Sequence, residues 1–197
     1  MEGVPRPHAK TSSLHAITPF RAPPFRAIPT LPHPSHHSTA SDVLPDLNLP
    51  VYDVRTKERE GKTMVDDSFR QRYVRLTPEE HVRQQFAHYL VDAHRVPAGL
   101  VAIEQPVDVN GQTQRADVVV YDRQARPLLL VECKAPGHPI QQSVFDQASR
   151  YNLALGAPFL IVTNGHEHYA CRIDRREGRA DFLADLPMYG DMLGVRD

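Results

Sequence analysis

Four consecutive apolar residues, Leu128-Leu129-Leu130-Val131, run without a break into Glu132-Cys133-Lys134. An apolar run of that length, preceded by the polar connection Asp122-Arg123-Gln124-Ala125-Arg126-Pro127, is the pattern of a central strand covered on both faces. It predicts a sheet with helices on each side, and it leaves two ionisable groups at the end of the sheet's middle strand. Residues i and i+2 of a strand project to one face, so Glu132 and Lys134 point together while Cys133 points to the opposite, apolar side. Burying a carboxylate and an ammonium there costs several kcal/mol per ion unless they are paired or bind a metal.

The neighbouring segments supply the rest of that sheet. Thr77-Pro78-Glu79-Glu80 reads as an N-cap, a proline at the first helical position and an acidic first turn, so a helix is expected from Pro78 to about Ala93. Val82, Phe86, Tyr89 and Leu90 recur at helical spacing and give it one core-facing stripe. Val101 to Val109 and Ala116 to Tyr121 read as strands joined through the hairpin turn Asn110-Gly111. Ser143 to Leu155 reads as a second helix ending near Gly156, and Phe159 to Thr163 as a buried strand beside the Leu128 strand. A further strand from Tyr169 to Ile173 precedes a short C-terminal segment around Phe182 and Leu183. The order α-β-β-β-α-β-β predicts an α/β fold with a mixed central sheet flanked by helices.

Separated from Glu132 by fourteen residues, Asp117 opens the preceding strand. Carboxylates on neighbouring strands are hard oxygen ligands suited to Mg2+, with Mn2+ as the alternative, and such an ion completes its shell with water and substrate phosphate. With Asp117 and Glu132 as metal ligands, Lys134 is placed to orient a nucleophile and to stabilise charge on a phosphodiester under attack. The chemistry this trio suits is phosphodiester hydrolysis. Read without chemistry, the same residues are an ion pair at the end of a sheet.

Asp117, Glu132 and Lys134 match the PD-(D/E)xK nuclease signature, and the surrounding sequence resembles the N-terminal domain of type I restriction enzyme R subunits from about Leu49 to Tyr189. The resemblance is most specific at Arg115-Ala116-Asp117-Val118-Val119-Val120-Tyr121-Asp122, at Pro127 through Pro136, and at Asp146-Gln147-Ala148-Ser149-Arg150-Tyr151-Asn152. Arg115-Ala116 stands before Asp117 where the superfamily's name has proline. The resemblance implies a restriction-endonuclease-like core. It also implies that Gln147 and Tyr151, four apart on one helical face, contact DNA or support the active site, where ordinary helix packing is the plainer reading. An acidic residue of the first helix often completes the metal shell in such folds. Glu80 is the choice here and Glu79 the alternative, although the helix dipole alone favours carboxylates in a first turn.

Composition sets the scope. The chain's 197 residues allow one domain with a sizeable core, and 23 Lys and Arg against 24 Asp and Glu exclude a global basic field, so any DNA contact has to be local. Two cysteines are too few for a disulfide framework, and no apolar stretch reaches a membrane span, which points to a reducing, cytoplasmic setting. Ten of the 18 prolines fall in the first 50 residues, interleaved with histidines, so residues 1–47 are expected to be a disordered extension. That segment is acid-poor, but its prolines argue against an amphipathic transit helix. The nuclease-like domain is expected over residues 48–190, with a tail over 191–197.

Two motifs are decoys. Gly61-Lys62-Thr63 lacks the glycine a phosphate-binding loop needs at position 56, which is Thr56, and reads as a hairpin turn. His166-Glu167-His168 and His36-His37 lack further ligands at zinc spacing. With no P-loop, the helicase motor of a full R subunit is not expected within this sequence. Taken together, the expectation is a Mg2+-dependent DNA endonuclease of restriction type, with a specificity or motor subunit as a partner and no membrane association. The alternative is a non-catalytic DNA-binding or scaffold module that keeps the nuclease fold.

Overall fold

The computed structural model describes residues 44–195, so the expected extension over 1–47 lies almost entirely outside the described residues. The apolar run becomes β6 (Pro127–Cys133), with Leu128 through Cys133 all buried. It sits third in a six-stranded sheet whose other members are β4 (Val101–Val109), β5 (Gln112–Tyr121), β7 (Phe159–Thr163), β8 (His168–Asp174) and β9 (Arg179–Leu183). The spatial order follows the chain, β4 to β9, and among the described residues β6 with β7 is the one parallel pair. A parallel neighbour requires a crossover, and α2 (Gln142–Leu155) provides it.

Two apolar clusters lie on the two faces of this sheet. On one face α1 (Pro78–Asp92) inserts Val82, Phe86, Tyr89 and Leu90 against Leu129, Val131 and Cys133. On the other, Val144, Phe145, Ala148 and Tyr151 of α2 pack against Val119, Leu130, Leu160 and Val162. The α1 start is capped as its sequence demands, with Thr77 Oγ1 accepting from the Glu80 N–H at 3.1 Å. The α2 end is fixed by Gly156 at φ +72°, a left-handed conformation that glycine adopts without a Cβ penalty.

The described chain holds more structure than the sequence reading assigned. Before α1, residues read only as a hairpin turn form a separate three-stranded antiparallel sheet: β1 (Thr56–Arg59), β2 (Lys62–Asp67) and β3 (Arg72–Arg75). Its signal is weak because β1 is wholly exposed and only Val65 of the meander's apolar residues is fully buried. At the other end, α3 (Tyr189–Met192) buries Met192 completely, and Leu193 and Val195 pack against the same core. The fold therefore runs past residue 190, where a tail was expected to begin. Leu47 also packs against the core. No helix among the described residues is long and apolar enough to cross a membrane.

His168 of the rejected zinc motif has a structural task. Its ring is fully buried, with Nδ1 2.7 Å from Thr163 Oγ1 and Nε2 3.1 Å from the Asn48 carbonyl, which ties the chain entering the domain to the end of β7. Burial pushes its pKa down from 6.5 to about 4. Because the unfolded chain then binds the proton more readily, stability is complete above pH 6.5 and is lost as pH falls towards 4, by up to about 3 kcal/mol. Urea unfolding between pH 7 and pH 4 should show this loss, and His168→Gln should flatten the slope in that window. An unchanged slope in the variant would refute the assignment.

Candidate active site

Asp117, sixth of the ten residues of β5 and not its opening residue as expected, comes beside Glu132 and Lys134 at the end of β6. Lys134 Nζ donates to Glu132 Oε1 at 2.7 Å, and Asp117 Oδ2 accepts the Cys133 backbone N–H at 2.7 Å, which locks the two strands together at the site. Cys133 is turned into the α1-side core, where burial and then the Asp117 charge push its thiol well above the ordinary range. A thiol so buried and so rarely ionised is a poor candidate for a nucleophile.

Glu132 is the unusual member. It is 2% exposed, and its Oε2 is buried with no hydrogen-bond partner. Burial, and then the neighbouring Asp117 carboxylate, push its pKa up to about 7, against the pull of Lys134. For Lys134 burial disfavours the charge, but the hydrogen bond and charge of Glu132 outweigh this and hold the amine protonated. The lysine also donates to Gln147 Oε1 at 3.1 Å. Gln147 in turn donates to Tyr151 Oη at 3.1 Å, and Tyr151 reaches Gln114 at 3.5 Å. The two α2 residues singled out by sequence are thus tied to the trio through Lys134.

Glu80 and Glu79 are placed differently from a simple metal shell. Glu80 is buried, and its two oxygens are held by Arg70, Arg83 and Gln84. Arg83 also binds Glu79 at 3.1 Å and Asp117 Oδ1 at 2.7 Å, so one guanidinium bridges the first helix to the strand carboxylate. Burial opposes the Arg83 charge, but Asp117 and Glu80 hold it firmly protonated. Arg70, from the turn between β2 and β3, joins Asp67, Glu80 and Glu104, the last at 2.7 Å. Burial would raise the Asp67 pKa, but the Arg70 N–H and guanidinium bring it below the ordinary carboxylate value. Glu104 lies across from Asp117, between the paired positions Ile103 with Val118 and Gln105 with Ala116, and has a positive φ of 52°.

Arg70, Arg83, Asp67 and Glu104 were not found by sequence. Arg83 alone carried a local sign, standing three and four residues after Glu80 and Glu79 and next to the buried Val82.

Among the described residues no group of three or more His, Cys, Asp or Glu side chains is arranged to hold a metal ion. The donor set nevertheless fits a divalent cation. Mg2+ needs only one or two protein carboxylates, and Glu132 offers a buried unpartnered oxygen beside a second carboxylate. Both Asp117 oxygens are engaged, one of them by Arg83, so a cation there would compete with a guanidinium.

The domain is thus a mixed sheet with a helix on each face that carries an acidic pair on two adjacent inner strands, Asp117 within β5 and Glu132 near the end of β6. The chain belongs to the family described as type I restriction enzyme R protein N terminus, whose model matches residues 78–187, more than half of its length. The match takes in α1 through β9 and leaves out the three-stranded sheet. Among solved structures, the chain is similar to a fragment of an HsdR subunit of a type I restriction enzyme from Vibrio vulnificus YJ016, at 21% identity and a TM-score of 0.45. That similarity covers 60% of this chain and 25% of the other, so the present chain spans about a quarter of that structure. No curated protein matches.

Proposed function

We propose that the chain is a Mg2+-dependent DNA endonuclease domain of restriction type, able to use Mn2+, that hydrolyses phosphodiester bonds. The observation that carries this reading is Glu132: a carboxylate sealed from water, one oxygen on Lys134 and the other unpartnered, raised to about 7 beside Asp117. A buried acidic pair in that state gains from a divalent cation more than from any neutral neighbour. Asp117 and Glu132 would hold the ion, which when bound lowers the pKa of a water and neutralises phosphate charge. Lys134 keeps its proton and points it towards the developing negative charge, and Gln147 and Tyr151 fix the direction of that ammonium. Glu80 acts one step back, positioning Arg83 against Asp117. In a restriction assembly, sequence specificity and any motor would come from partner subunits.

The engagement of both Asp117 oxygens favours a second reading, a DNA-binding or scaffold module that keeps the fold and does not cut. Incubation of the purified protein with supercoiled plasmid separates the two. Nicking that appears with Mg2+ or Mn2+ and disappears with chelator supports the enzyme. No cutting, together with no Mg2+ binding by calorimetry in a folded sample, supports the scaffold.

A further inference from the structure

The three-stranded sheet has two chemically different faces. Lys57 pairs with Met64, which pairs with Arg75; Arg59 pairs with Lys62, and Asp66 with Tyr73. Side chains of paired positions share a face and alternate along each strand, so Lys57, Arg59, Lys62, Met64, Asp66, Tyr73 and Arg75 lie together. Val65 and Asp67 lie on the opposite face and are fully buried, so the first set is the outer face. Its four cations are all exposed and are opposed by one carboxylate of the same face, in a chain whose net charge is -1. Tyr73 is exposed among them, with Lys57 Nζ 3.4 Å from its ring centroid. Arg59 has a partner at 3.7 Å in Glu60 of the adjoining turn, both ends well exposed, a pair of little strength.

This face is fixed relative to the candidate active site. Asp67 ends β2, and Arg70, three residues on, ties it to Glu80 of α1 and to Glu104 beside Asp117. Gln84 of α1 donates to Asp67 at 2.7 Å. The buried side of the meander is thus bolted to the carboxylates by charged hydrogen bonds while its outer side presents lysine and arginine to solvent. Four exposed cations on one sheet face, with an aromatic ring among them, match a phosphate backbone in charge.

We propose that the outer face of β1–β3 is a docking surface for the backbone of duplex DNA, holding the duplex beside the Asp117–Glu132–Lys134 site. It rests on reading the chain as a DNA-acting domain but does not depend on catalysis. The contacts are to phosphates, so they add affinity without sequence preference.

The test is fluorescence anisotropy with a labelled duplex in EDTA, over 50 to 200 mM salt, for the full chain and for the triple variant Lys57→Gln, Lys62→Gln, Arg75→Gln. The variant should bind roughly 10- to 100-fold more weakly at intermediate salt and with a salt slope shallower by roughly three, about 0.9 per lost phosphate contact. All three side chains are exposed, and an unchanged thermal unfolding midpoint verifies the fold; the single variant Lys62→Glu gives a second, independent loss. Equal affinity and equal slope in wild type and variants would overturn the surface, as would a wild type that cuts DNA with Mg2+ but shows no affinity in EDTA, and both leave the nuclease reading standing. The predicted loss in a protein that never cuts supports the surface and removes the nuclease reading. Binding to phosphatidylserine vesicles without binding to duplex would overturn the proposal in favour of a membrane.

Discussion

Lys134→Ala should lower Mg2+-supported nicking of supercoiled DNA by on the order of 100- to 1,000-fold, the loss seen when one preorganised donor to developing charge is removed. The ammonium does two things at this site. In the proposed reaction it would stabilise the negative charge that grows on the phosphate, and it is the direct ionic partner of Glu132, whose pKa burial raises to about 7. Removing it weakens the charge stabilisation and also drives Glu132 further towards its protonated form, in which the carboxyl is a poorer metal ligand. Asp117→Ala should be at least as damaging, since it would delete one of the two proposed ligands outright. Gln147→Ala should be milder, within roughly tenfold, because the glutamine only orients the lysine. Initial rates at saturating DNA over a Mg2+ titration check all three. Undiminished cutting by both Asp117→Ala and Lys134→Ala would sink the assignment.

The elements that bury apolar surface on a regular period were legible from the sequence. β4 and β7 were read to the residue, because Phe159 to Thr163 is wholly apolar or β-branched and Val101 to Val109 spaces its valines and isoleucine up to the Asn110-Gly111 turn. The shared face of Glu132 and Lys134 followed from strand geometry alone, and their 2.7 Å contact is its consequence. What stayed hidden was held by charge. β5 begins at Gln112, four residues before its apolar part, because the polar stretch Gln112 to Arg115 is paired only through the hairpin backbone. The meander before α1 is secured through Asp67 and Arg70, whose partners Glu80 and Glu104 are remote in sequence. No periodicity announces a buried ion pair between residues 34 positions apart, and Arg83 with Asp117 has that same separation. The candidate site was therefore half visible: its strand residues stand in a motif, while the arginines that order them are common surface residues until the fold is known.

Arg83→Ala should destabilise the folded chain by about 3–5 kcal/mol, the cost of breaking a buried ionic network by removing one partner. The guanidinium is nearly buried and touches three carboxylates, Glu79, Glu80 and Asp117. Its deletion leaves Glu80 with Arg70 and Gln84, but leaves Asp117 Oδ1 without its ionic partner, a short way from an already crowded Glu132. Arg83→Met, which keeps most of the volume, should lose nearly as much, since the penalty comes from unpaired carboxylates and not from a cavity. A loss of this size is a large share of an ordinary domain's total stability and is read directly from urea midpoints at constant slope. Divalent cation gives the second half of the test. If Arg83 occupies charge space that a metal would use, saturating Mg2+ should raise the unfolding midpoint of Arg83→Met more than that of wild type, because ligand binding to the native state alone adds stability and the competing cation has gone. A variant within about 1 kcal/mol of wild type would show that the network carries little of the fold, since broken buried pairs ordinarily cost several times that. Equal Mg2+ shifts in both proteins would place the metal away from Asp117.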